Sequence, residues 1–525
     1  MNQPLLSGKE RAHDPMNHHR RSSLAILLTL VLALPFGTLE WSAFAAPAPK
    51  RKSASKKKKS ASADPVASGS TLEQRIDSLL NNAVVRSANV SIQIVDVETG
   101  TVVAERDPHN MVAPASNMKL FTTGAALDNL KPSFEITTPV EMRGTVDQTG
   151  TLHGDVRIVG HGDPTISGRL HDGNATAVPE QWADALKAAG VRTIAGNLIF
   201  EYGYFDTEFV HPTWPTDQLV NWYEAPVSAF SMQEGCVAVR VYPTRKGERA
   251  RVELEPENTF LTVQNTCTTG GGPGVFISRK IGTNDIIVRG NAPPKYGPTE
   301  IFVAIQDPIR YFANVVHQTF LRNGINVQGQ VLVTPHDGRA DWKEITRQTT
   351  PLPVVVYVIN KVSQNHYAEQ LLKILGAERR GQGSWDSGSQ VVHQWLVQDV
   401  GVPANEFHQV DGSGMSRDNR VTANAFIHLL RYMWNTPYRR EFVSSMPYSG
   451  EPESRLRHRL NQAPYARQVY AKTGYISGVI GLSGYVHAKS GRIYAFSFLF
   501  NHYRTGVWGV YRLQDKILEE IVDRG

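Results

Sequence analysis

The sequence predicts an α+β fold: an antiparallel sheet built from both chain ends and covered by helices, with a large, mostly β module inserted between those ends. Three observations in the 525 residues carry this prediction. Strand and amphipathic-helix patterns recur at the two ends, and the middle changes to short strands separated by Gly and Pro turns. Three short polar motifs are spaced across both textures, the first more than twice as far from the second as the second is from the third.

Taken in order, residues 1–45 read as a secretory signal for the general export route. Arg20 and Arg21 precede an apolar run over 24–34, and Ala43-Phe44-Ala45 offers a small-x-small cleavage site. The run is short for a bilayer span. Translation from Met16 would leave a signal of ordinary length; a precursor that begins at Met1 would overturn that reading. Residues 46–71 form a Lys/Ser/Ala-rich tether of a composition that cannot bury a core. It carries Lys50, Arg51, Lys52, Lys56, Lys57, Lys58 and Lys59 without an acid. Two readings stand for it, a solvated spacer or weak adhesion to anionic membrane or wall polymer at about 1 kcal/mol per basic residue near a surface. These seven bases exceed the whole net charge of +6, so the folded remainder is not basic and no nucleic-acid partner is expected.

The body begins with a helix over 72–83 and a hairpin of strands 90–97 and 101–105, turning at Glu98-Thr99-Gly100. A buried helix starts near Ser116, since Leu120, Phe121, Ala125 and Leu127 recur at helical spacing. At the far end, strands are expected over 469–473, 484–487 and 492–500 around a Lys489-Ser490-Gly491 turn. A closing helix keeps Val510, Leu513, Ile517, Leu518 and Ile521 on one face. The catalytic domain is therefore assigned to 72–133 plus 298–525. Between them, 134–297 holds predicted strands at 137–144, 152–159, 197–201, 236–242, 251–254 and 285–289. A helical stretch over 179–189 leaves open whether this module is one subdomain or two.

The three motifs are Ser116-Asn117-Met118-Lys119, Ser363-Gln364-Asn365 and Lys472-Thr473-Gly474. Ser-x-x-Lys alone is cheap: Ser53-Ala54-Ser55-Lys56 also matches it, inside the lysine tract. Ser116 differs because it opens a buried helix, where residues i and i+3 share a face and Ser116 can touch Lys119. A lysine beside a serine can replace histidine as the base that activates the hydroxyl, provided its amine is neutral. Free lysine titrates near ~10.4, so burial and the like charge of Lys472 must lower it to near neutrality.

The other chemistry-bearing residues offer less. Cys236 and Cys267 are either bridged, as an exported protein permits, or two buried thiols. No Cys-x-x-Cys, His-Glu-x-x-His, phosphate loop or Gly-x-Ser-x-Gly elbow occurs, so no metal or other cofactor is implied. His366 is read as structural. The turn Asp411-Gly412-Ser413-Gly414-Met415-Ser416 is placed near the cleft or is a plain connection. Arg459 is an internal carboxylate partner or a surface residue, with the surface favoured. Trp214, Trp222 and Tyr223 either stack on glycan or pack between domains, with packing favoured.

With these residues on the page, the chain resembles the penicillin-binding protein 4 family of D-alanyl-D-alanine carboxypeptidases/endopeptidases, peptidase family S13. The resemblance covers about 72–520. It rests on the run from Ala115 to Thr123, Gly162-Asp163-Pro164, the run from Ser363 to Glu369, the Asp411 turn and Lys472-Thr473-Gly474. It implies a serine β-lactamase/DD-peptidase-like fold, peptidoglycan stem peptides as substrates and β-lactams as acylating inhibitors. It also implies roles: Ser116 as nucleophile, Lys119 as its base, Ser363 as proton relay and Asn365 as holder of the acyl-side amide and of Lys119. Lys472, Thr473 and Gly474 would bind the substrate carboxylate end, with the backbone N–H groups of Ser116 and Tyr475 as oxyanion hole. One departure is Tyr475, where the family usually has Ser or Thr. Competing readings are a serine β-lactamase, which would need a second water-activating carboxylate, and a catalytically weak cell-wall-binding scaffold. A peptidase for other D-amino-acid peptides also stays open.

Overall fold

Both chain ends contribute to one five-stranded antiparallel sheet, ordered Val469–Ile476, Val479–His487, Ile493–Asn501, Asn89–Asp96, Val102–Arg106. The structure, a computed structural model, describes residues 70–525 except 273 and 296. The predicted signal and nearly all of the tether therefore lie outside the described residues. No helix among those described is long and apolar enough to cross a membrane.

The register of this sheet sorts its residues into two faces, because directly opposed residues share a face. The row Thr473, Leu482, Phe498, Ile92 belongs to one face, and the row Lys472, Ser483, Ser497, Gln93 to the other. On the first face Ile92, Ile94, Ile480, Leu482, Phe496 and Phe498 pack against Val510, Leu513, Ile517 and Ile521 of the closing helix Val507–Arg524. Ile76 and Leu80 of Leu72–Leu80 complete that core. This first helix is set by a capping box, with the Thr71 side chain accepting from Gln74 N–H and the Gln74 side chain accepting from Thr71 N–H.

The second face meets a helical layer. Here lie Lys119–Leu130, Leu352–Lys361, Asn365–Arg380, Trp385–Trp395 and Ala423–Trp434, joined in one apolar cluster through Leu120, Phe121, Val356, Leu371, Trp395 and Phe426. The predicted helix at Ser116 is two pieces, a 3₁₀ turn Ala115–Met118 running into Lys119–Leu130. The third motif's strand continues to Ile476 and turns at Ser477-Gly478 into Val479–His487, which extends further back than the predicted 484–487. The Ile480 to Leu482 stretch is interrupted by Gly481, which hides its alternation.

The inserted residues fold around a separate core that includes Val156, Trp182, Phe200, Phe230, Val239 and Phe312. One of its sheets is seven-stranded and mixed, with Glu135–Val146, Thr151–Val159 and Leu198–Glu201 at its centre. The expected return to the catalytic domain at 298 requires correction. Thr299–Ala304 pairs with Cys236–Tyr242, and Lys343–Pro351 pairs with Glu135–Val146. Backbone pairing and the shared core thus keep 299–351 with the insertion, and Leu352–Lys361 is the first element back in the helical layer. The strand patterns of 299–351 resemble those of either domain, so only pairing partners could place them. Cys236 and Cys267 are both buried, unbridged thiols.

Candidate active site

The sequence places Ser116 where the chain tightens before a helix, and its neighbours hold it there. Ala115 has φ 49°, in the left-handed region, and the carbonyl of Ala115 lies where a Cβ on Gly414 would sit, at 1.9 Å. Gly414, itself at φ 83°, is thus the residue that lets the Asp411 turn approach the Ser116 turn. On the opposite side a Cβ on Gly474 would fall 2.6 Å from Asn117 Oδ1 and 2.7 Å from Pro114 O. The strand of the third motif is therefore pressed directly onto the 3₁₀ turn.

Lys119 is fully buried, and its Nζ touches three oxygens: Ser116 Oγ at 3.0 Å, Asn365 Oδ1 at 2.8 Å and the Ser413 carbonyl at 2.8 Å. The orientation of the Asn365 amide follows from its other bond, because Nδ2 donates to the Tyr223 carbonyl at 2.9 Å. Asn365 Oδ1 and Ser413 O can only accept. A neutral Lys119 has two N–H groups and one lone pair. If both N–H groups go to the two obligatory acceptors, the lone pair is left facing the Ser116 hydroxyl, the orientation a general base needs.

Burial lowers the Lys119 pKa to about 7, while the carboxylates of Glu369 and Asp411 pull it upward. The like charge of Lys472, expected to help, acts in the other direction of the pair. Lys472 is itself driven well below its ordinary value, first by burial and then by Lys119 and Arg455. Its Nζ donates to Ser363 Oγ at 2.7 Å and to the Thr473 carbonyl at 2.9 Å. Ser363 stands at φ 64°, a left-handed position that a serine rarely adopts. The structure thus forms two clusters, Ser116 with Lys119 and Asn365, and Ser363 with Lys472. Tyr475 projects outward, 57% exposed.

The residues after Ser363 are gripped by the inserted module. Gln364 Nε2 donates to Glu234, whose carboxylate also receives Arg169. His366, buried and lowered to about 4 by desolvation, meets Ser231 Oγ at 2.7 Å, which accords with a structural histidine. Trp214 is buried and donates Nε1 to Asp411 Oδ2 at 3.0 Å. Arg459, favoured at the surface, instead holds Asp515 at 2.6 Å and stacks over Tyr511. It does so because the closing helix presents that carboxylate at the edge of the apolar face.

Sequence reasoning assigned no part to the Ser413 carbonyl, the Tyr223 carbonyl or Glu369. Backbone oxygens leave no residue-type signal. Glu369 was visible, four residues after Asn365 on the same helix face, but an acid there also suits a solvated position.

A serine in hydrogen-bond contact with a buried lysine, at the start of a helix against an antiparallel sheet closed by both chain ends, is the arrangement expected of acyl-transferring serine hydrolases of DD-peptidase type. Residues 72–508 match the D-Ala-D-Ala carboxypeptidase 3 (S13) family, and the chain belongs to that family. It is 32% identical over 448 residues to a D-alanyl-D-alanine carboxypeptidase of Actinomadura sp. (strain R39), covering 82% of this chain and 81% of that one. It is 23% identical to the D-alanyl-D-alanine carboxypeptidase DacB of Haemophilus influenzae, over 80% of this chain and 86% of that one. The crystal structure of penicillin binding protein 4 from Haemophilus influenzae has the same fold, with a TM-score of 0.73 at 20% identity, over 85% of this chain and 99% of that one.

Proposed function

We propose that the chain is an exported serine D-alanyl-D-alanine carboxypeptidase, with DD-endopeptidase activity on crosslinks, that works through an acyl-enzyme on Ser116 and is acylated there by β-lactams. The observation that carries this reading is the set of three oxygens around Lys119 Nζ, which leaves a neutral amine poised on Ser116 Oγ. Ser116 Oγ attacks the penultimate D-Ala carbonyl as its proton passes to Lys119. The C–N bond breaks, the leaving D-Ala amine takes a proton relayed through Ser363, and water then hydrolyses the ester. Asn365 holds the base and the acyl-side amide. Lys472 and Thr473 receive the substrate's terminal carboxylate, whose charge favours protonation of the depressed Lys472 amine. Backbone N–H groups of Ser116 and Tyr475 face the developing oxyanion. With Tyr475 turned outward, carboxylate contact falls to Thr473 and Lys472.

The secretory signal read in residues 1–45 supports peptidoglycan stem peptides as the substrate and an extracytoplasmic site of action. The test is incubation of residues 64–525 with a disaccharide pentapeptide and with a crosslinked dimer, read by mass spectrometry beside Ser116→Ala. Loss of one D-Ala, or cleavage of the dimer, only with Ser116 intact is expected. No product from either substrate, with penicillin still bound covalently, would replace the substrate and keep the fold.

A further inference from the structure

Behind the base lies a buried carboxylate that the chemistry above does not use. Glu369 is fully buried on the helix Asn365–Arg380, one turn beyond Asn365. Its Oε1 accepts from Ser413 N–H at 2.8 Å, and its Oε2 accepts from Gly412 N–H at 2.8 Å and from Trp385 Nε1 at 2.8 Å. All three of these bonds come from N–H donors, the pattern an ionised carboxylate accepts and an amide of that length cannot. The carbonyl of the same Ser413 accepts from Lys119 Nζ. One helix thus supplies both acceptors that orient the amine: Asn365 directly, and Ser413 O through the peptide that Glu369 clamps.

Resting on the assignment of Lys119 as base, we propose that Glu369 is a positioning residue for acylation: it fixes the Ser413 carbonyl that aims the Lys119 lone pair at Ser116, and its charge sets the pH at which that amine becomes free. The hydrogen bonds of Glu369 go to Trp385, Gly412 and Ser413 and not to Ser116. Other charges face it from each neighbouring element. Asp411, whose carboxylate takes Trp214 Nε1 and the N–H groups of Gly414 and Ser416, lies on the same turn. Lys373, on the same helix, is bound to Asp206 at 2.6 Å and stands 3.8 Å over the Trp385 ring, which His211 meets edge-on. Burial and the Asp411 carboxylate push Glu369 up to about 7, so its ionisation and that of Lys119 fall in one range.

The sign of the expected effect follows. A negative charge near Lys119 stabilises its ammonium form. Glu369→Gln removes that charge and keeps the volume, but its amide can accept from only one side and turns two N–H donors toward donors. Fluorescent penicillin would be titrated to count competent Ser116 sites, and the acylation rate per site measured from pH 5 to 9. In Glu369→Gln the plateau rate per site is expected to fall by about 10–100-fold, and the acidic limb to move down by about one pH unit. Glu369→Asp keeps the charge but cannot span both amides, so its plateau falls while its limb stays at the wild-type position. A merely structural glutamate would lower the number of competent sites and leave both rate and limb per site unchanged in Glu369→Gln, which overturns the proposal. If Glu369→Gln does not fold, a displaced limb in Glu369→Asp overturns it equally. Absence of Ser116-dependent labelling in the wild type overturns the assignment of the base itself, and with it this inference.

Discussion

The two faces of the five-stranded sheet share the same strands and the same register, yet one is almost wholly apolar and the other mixes apolar with buried polar residues. Toward the terminal helices, Ile92, Leu482 and Phe498 are apolar and fully buried. Toward the candidate active site, Val95, Tyr485, Ala495 and Leu499 are apolar, but Ser91, Gln93, Lys472, Ser483 and Ser497 are buried beside them and are polar. They are tied to one another and to the helical layer. Ser483 bonds Ser497 at 2.9 Å and accepts from Asn117 Nδ2 at 2.7 Å, and Ser91 Oγ accepts from Ala423 N–H at 2.8 Å. Apolar burial is non-directional and contributes about 25 cal/mol per Å² on the first face. On the second, hydrogen bonds return little net stability but specify one arrangement, because an unpartnered buried polar group costs about 1–3 kcal/mol. Apolar burial stabilises both faces, and geometry for chemistry is added on the second.

Substitutions on the two faces should therefore separate rate from stability. The largest effect is expected for Lys119→Ala, which should lower penicillin acylation per folded molecule by about 10²–10⁴-fold while denaturant melts retain a cooperative native state. Next, Phe498→Ala on the apolar face should cost about 3–5 kcal/mol in denaturant unfolding and leave acylation per folded molecule unchanged. A large loss of rate from Phe498→Ala would erase the distinction between the faces. Gly481→Ala tests the border directly, since its Cβ would lie 2.9 Å from Asn117 Oδ1 and 3.0 Å from Cγ. It is expected to destabilise by about 1–3 kcal/mol and to slow acylation, because Asn117 must shift beside Ser116.

The pH dependence sharpens the same contrast. Acylation should rise through the Lys119 value of about 7 as the amine loses its proton. Unfolded, this lysine titrates near its ordinary 10.5, so between about 7 and 10.5 the unfolded chain binds more protons than the native one. Stability from this group is then lost below that window and gained as pH rises through it, with a slope of at most about 1.4 kcal/mol per pH unit. Comparison of wild type with Lys119→Met from pH 7 to 10 should show a slope steeper in the wild type by that amount, since the depressed Lys472 contributes its own slope to both. Equal slopes would place the proton elsewhere. The smallest effect belongs to Arg459→Ala, at about 1 kcal/mol in unfolding with no change in acylation, since its partner Asp515 stays partly solvated.

Legibility followed the range of the physical signal. The terminal strands, the closing helix and the helix after Ser116 were visible because apolar periodicity is local, and the i, i+3 spacing of Ser116 and Lys119 required only a helical turn. Gly481 and Ser483 obscured one strand because they face Asn117, a contact more than 360 residues distant in sequence. The segment 299–351 was assigned to the wrong domain because pairing with 135–146 and 236–242 is decided between strands, not within them. Arg459 was placed outward because its carboxylate lies on the closing helix.

What the amino-acid sequence determined by itself was the fold class, the two textures and the identity of the motif residues, since residue type and spacing suffice for each. Only the tertiary structure decided how those motifs become a site. It brought the Ser413 and Tyr223 carbonyls and Glu369 around Lys119 and Asn365, withdrew water from the lysine and turned Tyr475 outward. The physical reason is that the lysine's proton affinity and its lone-pair direction depend on distance and burial in three dimensions. Backbone acceptors, which fix both, carry no mark in the residue code.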